Sequence, residues 1–187
     1  MSKNILICGI GGQGTVLAAK VLSQAAVSSG EHVLSAETIG MAQRGGSVVS
    51  HVRIGENLYS PLIPKGQADV LIAFEACEAV RNLEYLKKDG MVIVNKKVVQ
   101  PTTASLTGTT FSEDTMIDFL ENNARTIAVD TEQACADLKS SKVVNMVLLG
   151  AACKTGIIDR EELKAALKLL VKPEFYDLNV KAIDYCK

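Results

Sequence analysis

The chain has 187 residues, 48% of them apolar, and its 20 Lys+Arg against 21 Asp+Glu leave a formal charge of −1. That is enough chain for one well-packed domain. It carries no basic excess to favour nucleic acid or an anionic membrane. With no Trp and 4% aromatics, stacked bases or an aromatic sugar cleft are disfavoured as ligands.

Lys3 begins a short apolar run and no leader-like apolar segment precedes it. No uncharged stretch approaches the roughly 20 residues that span a bilayer. Cys8, Cys77, Cys135, Cys153 and Cys186 are scattered, without a C-x-x-C pair. A dispersed, odd set suits a reducing compartment and offers no local zinc or iron–sulfur spacing. The expectation is a cytoplasmic protein whose cysteines are small buried hydrophobes, with no metal of its own.

In chain order, Asn4–Cys8 predicts a buried strand. The glycine-rich turn Gly9-Ile10-Gly11-Gly12-Gln13-Gly14 follows, then an alanine-rich helix to Ser29, stopped at Gly30. His32–Ala36 predicts a second strand, paired in parallel with the first. Thr38–Gly46 is polar and glycine-bearing. Ser47–Ile54 predicts a strand, turning at Gly55-Glu56-Asn57 into a hairpin with Leu58-Tyr59-Ser60 that Pro61 and Pro64 end. Asp69–Phe74 predicts a buried strand, Glu75–Lys88 a helix closed by Asp89-Gly90, and Met91–Asn95 another strand. Between Val98 and Thr110 the Thr-rich chain suits a loop and an edge strand. Glu113–Asn123 predicts a helix and Thr126–Val129 a strand. Beyond Asp130 the pattern is helical: Glu132–Leu138, Val143–Thr155, Arg160–Leu170, capped by Asp159, and Pro173–Ile183. The fold class is α/β and Rossmann-like: a mostly parallel sheet with an inserted β-hairpin and a helical C-terminal region. The expected organisation is a single domain, with residues 1–130 as core and 131–187 packed on it.

Two segments stand out for chemistry. Gly9, Gly11 and Gly14 satisfy G-x-G-x-x-G: Gly9 for a tight turn, Gly11 for close backbone approach, Gly14 for close helix packing. With Gly12 and Gln13, the turn suits a phosphate, a dinucleotide or a partner's loop. Glu37 lies near the end of the second strand, where a dinucleotide site places an acid for the ribose. Lys20 is too far along for a Walker-type loop. The second segment is Glu37-Thr38-Ile39-Gly40-Met41-Ala42-Gln43-Arg44-Gly45-Gly46-Ser47, expected at the same sheet edge as the glycine turn. Arg44 between small residues offers a two-point fork for a carboxylate or phosphate, or pairs with Glu37. Gln43 and Ser47 add neutral polar groups. His51, alternating within a strand, reads as a hydrogen-bonded structural residue before a base, and Glu75 and Glu78 read as helix-opening carboxylates before functional ones. No nucleophile–base pair is visible, and Cys8 lacks a neighbouring histidine. The chain reads as a fraction of an active site, with no catalytic residue assigned.

Gly9–Gly14, Glu37–Arg53, Tyr59–Pro64 and Ala68–Glu75 together resemble the gamma-type domain of the 2-oxoacid:ferredoxin oxidoreductases. Met41–Ser47 points to the indolepyruvate branch, and Leu178-Asn179 also fits. Ile39 stands where a histidine is common in that family. The resemblance implies an accessory subunit, inactive alone. Its large partner would carry thiamine diphosphate and iron–sulfur clusters, decarboxylate an aryl pyruvate, reduce ferredoxin and form an acyl-CoA. It implies that Gly9, Gly11, Gly12, Gln13, Gly14, Glu37, Gln43, Arg44, Gly45, Gly46 and Ser47 line the approach of substrate or coenzyme A, or touch the partner subunit. Two readings stand beside it: a gamma subunit acting on pyruvate, 2-oxoglutarate or branched-chain oxoacids, and a stand-alone dinucleotide-binding protein. A homodimer is open to the chain in isolation.

Overall fold

The structure, a computed structural model, describes residues 2–38, 46–100 and 110–186. Among these, a six-stranded sheet is built from β1 (Lys3–Ile10), β2 (Val33–Thr38), β3 (Ser47–Ile54), β4 (Ala68–Ala73), β5 (Leu86–Asn95) and β6 (Arg125–Val129). The order is β2-β3-β1-β4-β5-β6. β1, β4, β5 and β6 run parallel, while β3 is antiparallel to both β1 and β2.

Alternation along β1 divides the core. Ile5 and Ile7 face a layer formed by α1 (Thr15–Ser28), α5 (Val144–Ala152), α6 (Arg160–Leu170) and α7 (Pro173–Asp184). Leu6 and Cys8 face α2 (Ala76–Asn82) and α3 (Glu113–Asn123). Period-2 patterning thus makes both sheet faces apolar, as a parallel sheet covered by helices requires. The short α4 (Thr131–Asp137) follows β6. α5 is buried from Asn145 to Ala152, so it lies inside the helical layer rather than on its surface. Gly30, at φ +79°, closes α1 as expected: its N–H reaches Val27 O and that of Glu31 reaches Ala26 O, both at 3.0 Å. Asp159 caps α6, accepting from Glu161 N and Glu162 N at 2.9 Å.

Three expectations are corrected. β2 does not pair with β1. β3 has Val48, Ser50, His51, Val52 and Ile54 buried, so it takes the interior position and the half-exposed β2 takes the edge. The expected hairpin partner Leu58–Ser60 is irregular; Arg53 instead holds that segment by donating to Ser60 O at 2.8 Å, and β3 pairs back onto β2. The helix expected to Lys88 ends at Asn82, where the Asn82 amide donates to Glu78 O at 2.9 Å. Leu86 already pairs with Ala68, and Lys87 meets Asp69 of β4 at 2.5 Å. Asp89-Gly90 therefore lies in a bulge inside β5 rather than at a helix end. The loop and edge strand expected between Val98 and Thr110 fall mainly on residues 101–109, outside the described residues.

His51 is buried on β3, stacked edge-on to Tyr85 at 5.9 Å, and its Nδ1 accepts from Ile63 N at 3.2 Å. It is a structural residue. Burial lowers its pKa from the ordinary value, so the fold prefers the neutral ring while the unfolded chain takes a proton near pH ~6.5. Stability is complete above that pH. It falls as pH drops through it toward the folded value, then levels off. Urea midpoints at about pH 7.5 and about pH 5.5 should differ more for the natural chain than for His51→Gln.

Candidate functional site: a cleft at the glycine turn

The turn after β1 works differently from the motif's usual division of roles. Gly9 is still within β1, and a Cβ there would lie 2.7 Å from Gln13 Oε1, 2.8 Å from Phe74 Cβ and 3.0 Å from Thr15 Cγ2. It is glycine because the strand is packed on both neighbours. The left-handed positions are Gly12 at φ +99° and Gly14 at φ +86°, where other residues are strained. Gly14 is also the N-cap of α1 and offers no side-chain cap. Gln13 turns inward: its Oε1 accepts from Ile10 N at 2.8 Å and its own N–H reaches Ile10 O at 3.1 Å. Gln13 closes the turn rather than reaching outward.

Gly11 N donates to Gly46 O at 2.9 Å, joining the glycine turn to the start of β3. Ser47 Oγ donates to Glu78 Oε2 at 2.6 Å. Gln43, Arg44 and Gly45, together with Ile39, lie outside the described residues. Glu37 is not brought to the turn. It is in register with Ser50, and Ser50 with Ile7, so β3 separates it from β1 by two strand spacings, about 10 Å. A dinucleotide site of the Rossmann kind needs the acid on the adjacent strand.

A cleft of about 700 Å³ opens beside the turn. Gly12, Gln13 and Gly14 form one wall. Facing it are Asn95 and Lys97 at the end of β5, Thr131 and Glu132 at the start of α4, and Lys142 and Asn145 on either side of the start of α5, among others. This is the carboxyl end of the parallel strands, where open α/β sheets bind ligands. Asn95 fixes the floor: its amide donates to Phe74 O at 3.1 Å and its Oδ1 accepts from Thr131 Oγ1 at 2.8 Å. Lys97 pairs with Glu132 at 2.8 Å, which holds the Lys97 ammonium above its ordinary pKa. Lys142 has no ion-pair partner among the described residues. Asn145 is 6% exposed. Its Oδ1 accepts from Met146 N at 3.0 Å, and its Nδ2 lies 3.0 Å from where a Gly14 Cβ would be. Among the described residues Nδ2 meets no acceptor, and it opens on the cleft rather than being sealed in the core. The wall therefore presents a cation, an unused amide donor and left-handed glycine backbone: it suits an anionic or acceptor-rich group.

Sequence reasoning found the glycine wall and missed the facing one. Asn95, Lys97, Thr131, Lys142 and Asn145 sit at element ends whose roles depend on where the sheet places them. One signal was available: Asn145 is a polar residue opening an otherwise apolar helix. Cys8 is buried, its thiol donating to Glu78 O at 3.5 Å, and burial, then Glu78 and Glu75, push its pKa well up. It stays a thiol. Among the described residues no group of three or more His, Cys, Asp or Glu is placed to hold a metal ion, and no helix is long and apolar enough to cross a membrane.

Residues 4–186 match the pyruvate ferredoxin/flavodoxin oxidoreductase family. The chain belongs to that family. Within it, the chain is a small, gamma-type accessory subunit of a multisubunit oxidoreductase. It is 38% identical over 97% of its length to the indolepyruvate oxidoreductase subunit IorB of Pyrococcus horikoshii, covering 92% of that protein. It is 29% identical over 94% of its length to the pyruvate synthase subunit PorC of Methanocaldococcus jannaschii, covering 90% of it. The crystal structure of a keto/oxoacid ferredoxin oxidoreductase gamma subunit from Geobacter sulfurreducens superposes with a TM-score of 0.72 at 26% identity, over 97% of this chain and 94% of that one. The gamma-type fold and the family read from Gly9–Gly14, Glu37–Arg53, Tyr59–Pro64 and Ala68–Glu75 are those found.

Proposed function

We propose that this chain is the small subunit of an indolepyruvate-type 2-oxoacid:ferredoxin oxidoreductase, and that the cleft beside Gly12 and Gly14 receives the phosphates of coenzyme A. The higher identity to indolepyruvate subunits than to a pyruvate synthase subunit supports the aryl-pyruvate branch. The single observation that carries the cleft reading is Asn145: a residue only 6% exposed whose amide nitrogen lies against Gly14 at the cleft and meets no acceptor among the described residues. A phosphate oxygen there satisfies it, with Lys142 supplying charge and the first turn of α1 its N–H groups.

In this reading the large partner holds thiamine diphosphate and iron–sulfur clusters, which supply the decarboxylation chemistry and carry electrons to ferredoxin. The small chain binds and orients. Gly12 and Gly14 let the backbone approach the ligand, and the Asn95–Thr131 bond keeps the floor of the cleft rigid. Residues 1–130 and 131–187 act as one gamma-type unit, since the cleft needs both. Gln43, Arg44 and Gly45, with Gly46, would then face substrate or the partner subunit, while the Ser47 hydroxyl is turned back onto Glu78.

In the complex reassembled with its large subunit, Lys142→Ala should raise the KM for coenzyme A about tenfold and leave kcat within about twofold, the pattern of lost uniform binding. An unchanged KM would remove coenzyme A from this cleft. Titration of the free chain with NAD(H) tests the dinucleotide alternative, which the separation of Glu37 from β1 disfavours.

A further inference from the structure

The first turn of α2 holds two buried carboxylates, Glu75 at 1% and Glu78 at 2% exposure. One carboxylate oxygen suffices to cap a helix, and Glu75 Oε2 does so, accepting from Glu78 N at 2.7 Å. The other three oxygens are also engaged, two of them beyond the helix. Glu75 Oε1 accepts from Val99 N at 3.0 Å. Glu78 Oε1 takes the half-exposed Arg81 at 2.5 Å, and Glu78 Oε2 takes Ser47 Oγ at 2.6 Å. Burying two charges against one partly solvated cation carries a large desolvation cost that simple capping does not require. What the arrangement gains is position: each carboxylate has one oxygen on α2 and the other on a distant segment.

The Ser47 contact leads to the cleft. Ser47 follows Gly46, whose carbonyl receives the Gly11 N–H at 2.9 Å. Gly11 precedes Gly12 and Gly14, which form the cleft wall. We propose that Glu78 is a positioning residue: through Ser47 it fixes Gly46, and through Gly46 the glycine turn, in the geometry that receives a ligand. This rests on the cleft reading above. Glu78 touches no ligand. It acts from beneath, on the sheet face opposite α1.

The test uses Ser47→Ala, because Ser47 is exposed and its loss leaves the core intact. Two readouts are taken. In the full chain, exchange of the Gly11 amide should accelerate about tenfold as the Gly46 acceptor loosens. In the reassembled complex, the KM for coenzyme A should rise about fivefold with kcat within about twofold, and Ser47→Thr should restore both. Glu78→Ala, which removes both oxygens, should accelerate Gly11 exchange at least as much as Ser47→Ala, and the double variant should be no worse than Glu78→Ala alone. Unchanged Gly11 exchange in Ser47→Ala overturns the proposal. So does faster exchange with an unchanged KM while Lys142→Ala still raises it. If Lys142→Ala also leaves KM unchanged, it is the cleft reading that fails, and Gly11 exchange alone then decides whether Glu78 sets the turn.

Discussion

Gly150→Ala should lower stability by about 3 kcal/mol, which for a chain of this size lowers Tm by roughly 10 °C. Gly150 lies in α5 where that helix crosses α7, and a Cβ there would overlap the backbone carbonyl of Ile183. Backbone cannot move aside as a side chain can, so the two helices must separate. That separation is felt at Arg160. Its guanidinium donates to Ile183 O and, at 2.9 Å, to Gly150 O, bridging two carbonyls that meet only because Gly150 has no side chain. Nearby, Asp184 pairs with Lys164 at 2.9 Å. A substitution of one methyl group therefore costs packing and a half-buried, two-carbonyl contact of Arg160 together. Thermal unfolding followed by circular dichroism measures it. A shift below about 3 °C would mean that the helices part freely, contrary to tight packing.

Gly9→Ala should cost about 2 kcal/mol and raise the KM for coenzyme A about tenfold. The new methyl meets the Phe74 Cβ, which is fixed to backbone at the end of β4, and the Gln13 Oε1, which closes the turn. Gln13 can swing away, but Ile10 N then loses its acceptor and the turn opens. Stability and ligand affinity should therefore fall together. Gly12→Ala is the informative control: no atom lies within 4 Å of its Cβ position, but φ is +99°. Its stability cost in the free chain should be backbone strain alone, about 1 kcal/mol, although its methyl would stand in the ligand's cleft. Urea denaturation and steady-state kinetics on the reassembled complex separate the two effects. Equal losses of stability at Gly9 and Gly12 would refute the packing role given to Gly9.

These contrasts show what the sequence made legible. β1 and β4 were readable because their apolar runs are local, and a strand buried on both faces needs no distant information to be recognised. α6 was readable through its spacing and the Asp159 cap. The sheet order was not. Whether β2 or β3 neighbours β1 depends on which one the rest of the fold buries, a nonlocal matter. The end of α2 was hidden because Leu83 and Leu86 suit helical spacing equally well, while Asp69 and Ala68, distant in sequence, draw Leu86–Lys88 into the sheet. The candidate site split the same way. Its glycine wall is contiguous and was visible as a motif, though Gly9 serves close packing rather than the tight turn assigned to it, and the left-handed turn falls to Gly12 and Gly14. Its other wall comes from Asn95, Lys142 and Asn145, three element ends that only the folded chain brings together.

The most direct measurement is a cryo-electron microscopy reconstruction of the chain assembled with its large subunit and coenzyme A. The account predicts phosphate density beside Gly12 and Gly14, within hydrogen-bond reach of the Asn145 amide and the Lys142 ammonium. Phosphates held entirely by the large subunit, with this cleft filled by protein from the partner, would contradict it.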